Sequence, residues 1–334
     1  MRNLSRHYRL RLLRKKWQIR TIARQKDLKS IKIGKEADRS DGIFVFSTMR
    51  NEIERLPYFL EYYRTLGVTQ FFVVDNNSTD GTTEFLKEQP DVSLWHTKAS
   101  YKQAEFGVLW LNGLLNQYGH LHWCLVVDVD ELFIYPHHDT RPLPALTSWL
   151  EASMISSFSA MLIDMYAKTP APCAQGQNPL EVLTHFDAGN YTQRRNHRFN
   201  ELWIQGGPRQ RLLFSDNPAG APALNKIPLV YWRKHFVYSS STHVLLPRSL
   251  NRVYERDGGE RICGALLHTK FLPDLAARAS EELERGEHYN NSAEYRAYSE
   301  NESALEQMWT ERSTRYADWQ QLERLGLISL GGWA

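Results

Sequence analysis

Between residues 42 and 135, short apolar runs alternate with amphipathic segments of helical period. No other feature of the chain restricts its fold as strongly. Residues 42–47 read as a strand buried on both faces. Residues 53–66 follow with Leu56, Phe59, Leu60 and Tyr63 at helical spacing. Pro57 limits how early that helix can begin, and Gly67 is placed to stop it. Residues 68–75, 92–96 and 123–127 read as further strands, and 82–88 and 103–118 as helices between them. Strand–helix alternation with short connections predicts an α/β fold: parallel strands covered by helices on both faces. In such sheets ligands bind beyond the carboxyl ends of the strands. The polar clusters Thr48-Met49-Arg50-Asn51-Glu52, Asp75 to Asp80 and Asp128-Val129-Asp130-Glu131 fall at those ends.

After about residue 150 the alternation fades. Residues 170–225 are rich in Pro, Gly, Asn and Arg and read as loops with short strands, while 227–246 and 262–272 read as strands. From Pro273 the pattern is helical, and Ser303-Ala304-Leu305-Glu306 is a capping-box sequence. It would open a helix burying Leu305, Trp309, Tyr316 and Trp319. The expected organisation is a basic extension over 1–40, a central domain over 41–272 whose two parts meet at 135/136, and a helical C-terminal extension over 273–334.

At 42% hydrophobic and 24% charged residues over 334 positions, a disordered chain, a collagen and a small disulfide scaffold are ruled out. The three cysteines, Cys124, Cys173 and Cys263, have no metal-binding spacing and cannot all pair, which points to a reducing compartment. No apolar run approaches the length of a bilayer span, and the basic start lacks the apolar stretch of a signal peptide. The expected location is cytoplasmic.

The net charge of +3 conceals a division. Residues 1–35 hold 13 Lys and Arg against one acid, Asp27, leaving 28 basic and 37 acidic residues in the remainder. A basic arm on an acidic body suits an anionic surface, and a peripheral site on the inner membrane is the expectation. The helical pattern of the arm is poor: Leu10, Leu13 and Trp17 share one side, while Leu12 and Ile19 fall on another. A solvated, flexible extension is the competing expectation.

Asp128-Val129-Asp130 carries the sharpest chemistry. Cys124 to Val127 drives the segment inside, and two carboxylates then appear at its end. Unpaired buried carboxylates are costly, so a cation should meet them. Mg²⁺ or Mn²⁺ prefers such oxygen ligands and keeps positions open for phosphate oxygens. The alternative is that one Asp caps a turn and the other pairs with an arginine. Asp75 ends an apolar strand, where its carboxylate could accept from a base or ribose, and Arg50 at the neighbouring strand end could contact a diphosphate. For Asp80, capping of the next helix is the expectation.

Taken together, Phe44 to Ser47, Arg50-Asn51-Glu52, Val73 to Thr82 and Asp128 to Leu132 resemble the glycosyltransferase family 2-like enzymes of GT-A fold. Gly206-Gly207-Pro208-Arg209, Asn225 to Val230, Ser241-Thr242-His243 and Leu267 to Phe271 are similar to the bacterial branch of that group. The resemblance covers roughly residues 42–272. It implies a GT-A type sheet, mixed and mostly parallel, in a catalytic domain over 41–272 with a Rossmann-like nucleotide-sugar half (41–135) and an acceptor half (136–272), followed by a helical C-terminal extension. It implies a nucleotide-sugar donor, a UDP-sugar foremost, a Mn²⁺ or Mg²⁺ cofactor and a glycan or glycolipid acceptor in lipopolysaccharide or capsule synthesis. Arg50, Asn51, Glu52, Asp75, Asp128 and Lys226 would bind the nucleotide sugar. Asp128, Asp130 and His268 would hold the metal, with His243 as the rival histidine. The acidic pair that commonly supplies the family's catalytic base is not evident after residue 170.

A departing diphosphate develops negative charge, which a metal at Asp130 and the side chain of Arg50 or Lys226 would stabilise. An acceptor hydroxyl needs a carboxylate to take its proton. Asp164, at the end of an apolar segment, and Glu201, beside Trp203, are the candidates. Trp203, Tyr231 and Trp232 could stack on a sugar, although packing accounts for each alone. A sugar-1-phosphate nucleotidyltransferase is one alternative, but it needs a glycine-rich phosphate loop where this chain reads Ser47 to Glu52. A non-catalytic carbohydrate- or nucleic-acid-binding protein is another. The acidic body argues against nucleic acid.

Overall fold

A computed structural model of the protein describes residues 2–35, 42–253, 259–273, 275, 298 and 307–333. The chain opens with helix α1 (Arg2–Arg24) and strand β1 (Lys29–Lys32). There follow β2 (Ile43–Met49), α2 (Leu56–Leu66), β3 (Gln70–Asp75), α3 (Thr82–Glu88), β4 (Val92–His96), α4 (Val108–Tyr118) and β5 (Trp123–Val126). Next come β6 (Glu131–Ile134), α5 (Leu143–Ala152), β7 (Ser157–Asp164), β8 (His185–Phe186), β9 (Tyr191–Asn196), β10 (Glu201–Gly206) and α6 (Gly207–Leu213). The remainder supplies β11 (Asn225–Tyr231), β12 (Val237–Ser240), β13 (Val244–Leu246), β14 (Cys263–His268), β15 (Thr314–Arg315) and α7 (Trp319–Arg324).

Nine strands form one mixed sheet in the order β1-β4-β3-β2-β5-β11-β7-β14-β6. Strands β2, β3, β4, β5, β7 and β14 run one way, and β1, β11 and β6 run against them. One edge of the sheet therefore collects Asp75, His96, Asp164 and His268 at carboxyl ends, with Glu131 and Asn225-Lys226 at the starts of opposed strands. This is the α/β architecture expected from the alternation.

Alternate residues of the central strands feed two cores. Val45, Phe71, Val73 and Leu125 face Leu56, Phe59, Leu60 and Tyr63 of α2. Phe44, Phe46, Phe72, Val74 and Val126 face Leu109, Trp110 and Leu114 of α4. The left-handed Gly67 (φ 100°) ends α2 as its position predicts. Helix α4 begins at Val108 rather than near 103, because Glu105, Phe106 and Gly107 all adopt positive φ and cannot continue a right-handed helix.

Two expectations are corrected. The basic arm is not a solvated extension: Leu10 and Trp17 of α1 are buried in the α4 core, and β1 pairs with β4 as the sheet's edge. Residues 307–318 are not helical: β15 pairs with β8, and the amide of Tyr316 donates to the carbonyl of Thr184. The Ser303 capping box and Leu305 lie outside the described residues, whereas Trp319 and Leu322 of α7 join the α2 core. No helix among the described residues is long and apolar enough to cross a membrane.

Candidate active site at the carboxyl edge of the sheet

The loop after β2 is tied to the loop after β3. The Asn51 amide donates to Ser78 Oγ at 2.9 Å, and Asn51 Oδ1 accepts from the Thr79 amide at 2.8 Å. Asp80 accepts from the amides of Ile53 and Thr82, each at 3.0 Å, and so ties the loop after β2 to the first residue of α3, whose N-cap is Gly81 rather than the expected Asp80. Glu52 pairs with Arg55 at 3.1 Å. Asp75 is buried, and its carboxylate holds this turn together: it accepts from the amide and hydroxyl of Ser78 and, at 2.7 Å, from Thr83, and it meets His96 Nδ1 at 3.1 Å.

Strand β5 delivers the Asp128-Val129-Asp130 turn. The Asp128 side chain is 57% exposed, whereas that of Asp130 is 22% exposed and largely enclosed. Glu131 is buried one residue on, where its Oε2 accepts from the Asp128 amide at 3.2 Å. Lys226, at the start of β11, makes a short contact with Glu131 and stands 3.3 Å from Asp128. Burial alone would strip the Lys226 ammonium of its proton, but Glu131 and Asp128 hold it protonated far more firmly than usual. Burial pushes the Glu131 carboxyl upward against the pull of Lys226.

His268, at the end of β14, lies beside Asp164 at the end of β7. Its Nδ1 donates to Asp164 Oδ1 at 2.7 Å, its Nε2 is 3.4 Å from Asp130 Oδ2, and Arg209 Nε meets Asp164 Oδ2 at 2.8 Å. A chain of alternating charge therefore runs Arg209, Asp164, His268, Asp130. Burial opposes every charge in it. Even so, Asp130 and Asp164 hold the imidazole protonated above its ordinary range, and His268 and Arg209 hold the carboxyls below theirs. Gly206 and Gly207 turn the chain into α6 and so place Arg209. Gly206 has φ 145°, and a Cβ there would come within 2.1 Å of the Asn190 carbonyl oxygen.

The sequence-derived candidates divide accordingly. Asp128, Asp130, Lys226 and His268 come together. Asp164 joins them, with one oxygen bonded to His268 and the other to Arg209. The Nε2 of His268 faces Asp130, so the ring stands beside the carboxylate pair. Glu201 lies on β10 with its carboxylate bonded to Asn196 Nδ2 at 2.6 Å, and burial pushes its pKa up to about 7. His243 donates through Nδ1 to the Asn225 carbonyl, and burial and Lys226 push its pKa down to about 4, so the ring is neutral. Trp232 is core. Glu131 and Arg209 are the partners that sequence reasoning left without a role. Their signals were the acidic residue following Asp130 and the arginine following two glycines.

Among the described residues no three His, Cys, Asp or Glu side chains converge so as to hold a cation. The neighbouring carboxylates of Asp128 and Asp130 nevertheless suit Mg²⁺ or Mn²⁺, which bind through one or two carboxylates and complete their sphere with water and phosphate oxygens. A small, mostly apolar crevice lined by Arg55, Tyr58, Val129, Thr269 and Leu272 among others lies beside the turn.

Neither a family model nor a curated protein matches the sequence. Among solved structures, 42% of this chain is similar to 67% of a 4-diphosphocytidyl-2C-methyl-D-erythritol synthase, at 17% identity and a TM-score of 0.27. A likeness to the bifunctional glycosyltransferase WbbM covers 38% of this chain and 24% of that one, at 12% identity and a TM-score of 0.26. For HddC from Yersinia pseudotuberculosis the shares are 65% and 82%, at 11% identity and a TM-score of 0.30. Likenesses this distant carry no weight for chemistry, which rests on the sheet edge itself.

Proposed function

We propose that the protein is a metal-dependent, family 2-like glycosyltransferase that moves a sugar from a nucleoside-diphosphate donor, a UDP-sugar foremost, to a glycan or glycolipid hydroxyl. The observation that carries the reading is the carboxylate pair Asp128 and Asp130 at the carboxyl edge of the sheet, with the buried cation Lys226 3.3 Å from Asp128 and His268 3.4 Å from Asp130. A bacterial surface glycan such as lipopolysaccharide or capsule is the acceptor class that the sequence resemblance suggests.

In this reading the nucleotide rests on the paired loops of Arg50-Asn51-Glu52 and Asp75, with Asp75 keeping the turn in shape. Asp128 and Asp130 hold Mn²⁺ or Mg²⁺, which supplies charge neutralisation to the diphosphate when bound. Lys226 adds a fixed positive charge beside them, where the leaving diphosphate gains negative charge as the bond to the sugar breaks. His268 fixes the Asp130 carboxylate, and Asp164 with Arg209 fixes His268. Asp164 is thereby a positioning residue. Glu201 is the remaining candidate to take the acceptor's proton as the new glycosidic bond forms, because a carboxyl near pH 7 is suited to general-base work.

Calorimetry with UDP-, GDP- and CMP-sugars, with and without Mn²⁺, tests the reading. Metal-dependent binding of one nucleotide class, lost in Asp130→Ala, is expected. Binding by none of them under either condition would sink it. Release of pyrophosphate from a nucleoside triphosphate and a sugar phosphate would transfer the site to nucleotidyl chemistry.

A further inference from the structure

Helix α1 has two apolar faces. Leu10, Trp17 and Thr21 are buried on the inward one, against α4 and β12. At about 100° per residue, Tyr8, Leu12 and Ile19 fall together on the opposite side, with Ile22 close by. These four are 64, 48, 68 and 73% exposed and make up half of the large hydrophobic residues exposed among the described residues. Arg11 and Lys15 lie along one side of this outer stripe and Arg9 and Lys16 along the other, all exposed.

We infer that the outer face of α1 docks on an anionic lipid surface, lying in its plane with Tyr8, Leu12, Ile19 and Ile22 immersed. Charge complementarity selects this occupant. Residues 1–35 carry 13 basic residues against one acid, while the remainder of the chain is acidic and would be repelled by the same surface. The flanking lysines and arginines can extend their charged ends to the headgroups while their stems cover the apolar stripe. A nucleic acid would match the charge but leave the stripe in water. A helix bound to the body by one face and to lipid by the other supplies two signals, apolar and electrostatic, and such a pair gives firm anchoring where one alone is marginal. This docking holds whatever the sheet edge catalyses.

Co-sedimentation of the full chain with vesicles of phosphatidylcholine and phosphatidylglycerol in equal parts, against phosphatidylcholine alone, reads it directly. The protein should pellet with the anionic vesicles only. Leu12→Glu with Ile19→Glu should weaken that partition by about tenfold or more, Lys15→Gln with Lys16→Gln by several fold, and Met154→Glu, an exposed apolar site elsewhere, not at all. Unchanged near-ultraviolet circular dichroism would show that Trp17 keeps its seat in each variant. No binding by the wild type, full binding by both α1 variants, or a preference for transfer RNA over anionic vesicles would each overturn the inference.

Discussion

Nδ1 of His268 donates to Oδ1 of Asp164 across 2.7 Å, although 104 residues separate the two in sequence. Strands β7 and β14 pair parallel with these residues in register, so the sheet itself holds acid and base together. The other oxygen of Asp164 belongs to Arg209, so one carboxylate compensates two buried cations. Asp164→Asn should therefore cost about 3–5 kcal/mol of folding stability, because it takes a charged partner in the interior from both Arg209 and His268. Urea denaturation of the variant measures it, and a loss below about 1 kcal/mol would show that the chain of charges is not continuous.

Lys226 and Glu131 form a buried pair whose members depend on each other. Lys226→Met alone should destabilise by about 3–5 kcal/mol, since Glu131 is left buried without its cation. Adding Glu131→Leu should restore part of that loss, but not all, because Glu131 also accepts from the Asp128 amide. Thermal melts of the two single variants and the double variant give the coupling. Strict additivity would contradict a direct pair.

Glu201 supplies the pH dependence. Its carboxyl is raised by burial from its ordinary value to about 7, so the folded protein binds this proton more tightly than the unfolded chain does. The contribution is complete at low pH and is lost as pH rises between roughly 4.5 and 7. Glu201→Gln should remove that slope and leave the variant roughly 1–2 kcal/mol more stable than wild type at pH 8. Denaturation across the pH range checks the sign. Under the proposed reaction, the same variant should also lose turnover while donor binding survives.

Gly206 tests how the site is placed. An added Cβ meets the Asn190 carbonyl oxygen, and φ of 145° is a conformation that side chains rarely adopt. Gly206→Ala should destabilise by about 1–3 kcal/mol and displace Arg209 from Asp164. A melting temperature equal to that of wild type would mean that the turn into α6 relaxes freely.

The first half of the sheet was legible because each strand there is a buried apolar run closed by a polar cluster. Residues 68–75 and 92–96 fold nearly as read, and Gly67 stops α2 where expected. Helix α1 was not legible as a packed element, because its two apolar faces cancel in a search for a single stripe. Strand β1 hid for a different reason: Lys29, Ser30, Ile31 and Lys32 have too little apolar surface to mark an edge strand.

The α/β class and the carboxylates that close its strands are written in the local sequence, since both follow from apolar periodicity and from the cost of burying charge. Their partners come from the folded sheet: Lys226 for Glu131, His268 for Asp130, and Arg209 for Asp164. Those pairings depend on strand order and register across the sheet, and long-range register is set by packing between elements rather than by any residue's neighbours in sequence.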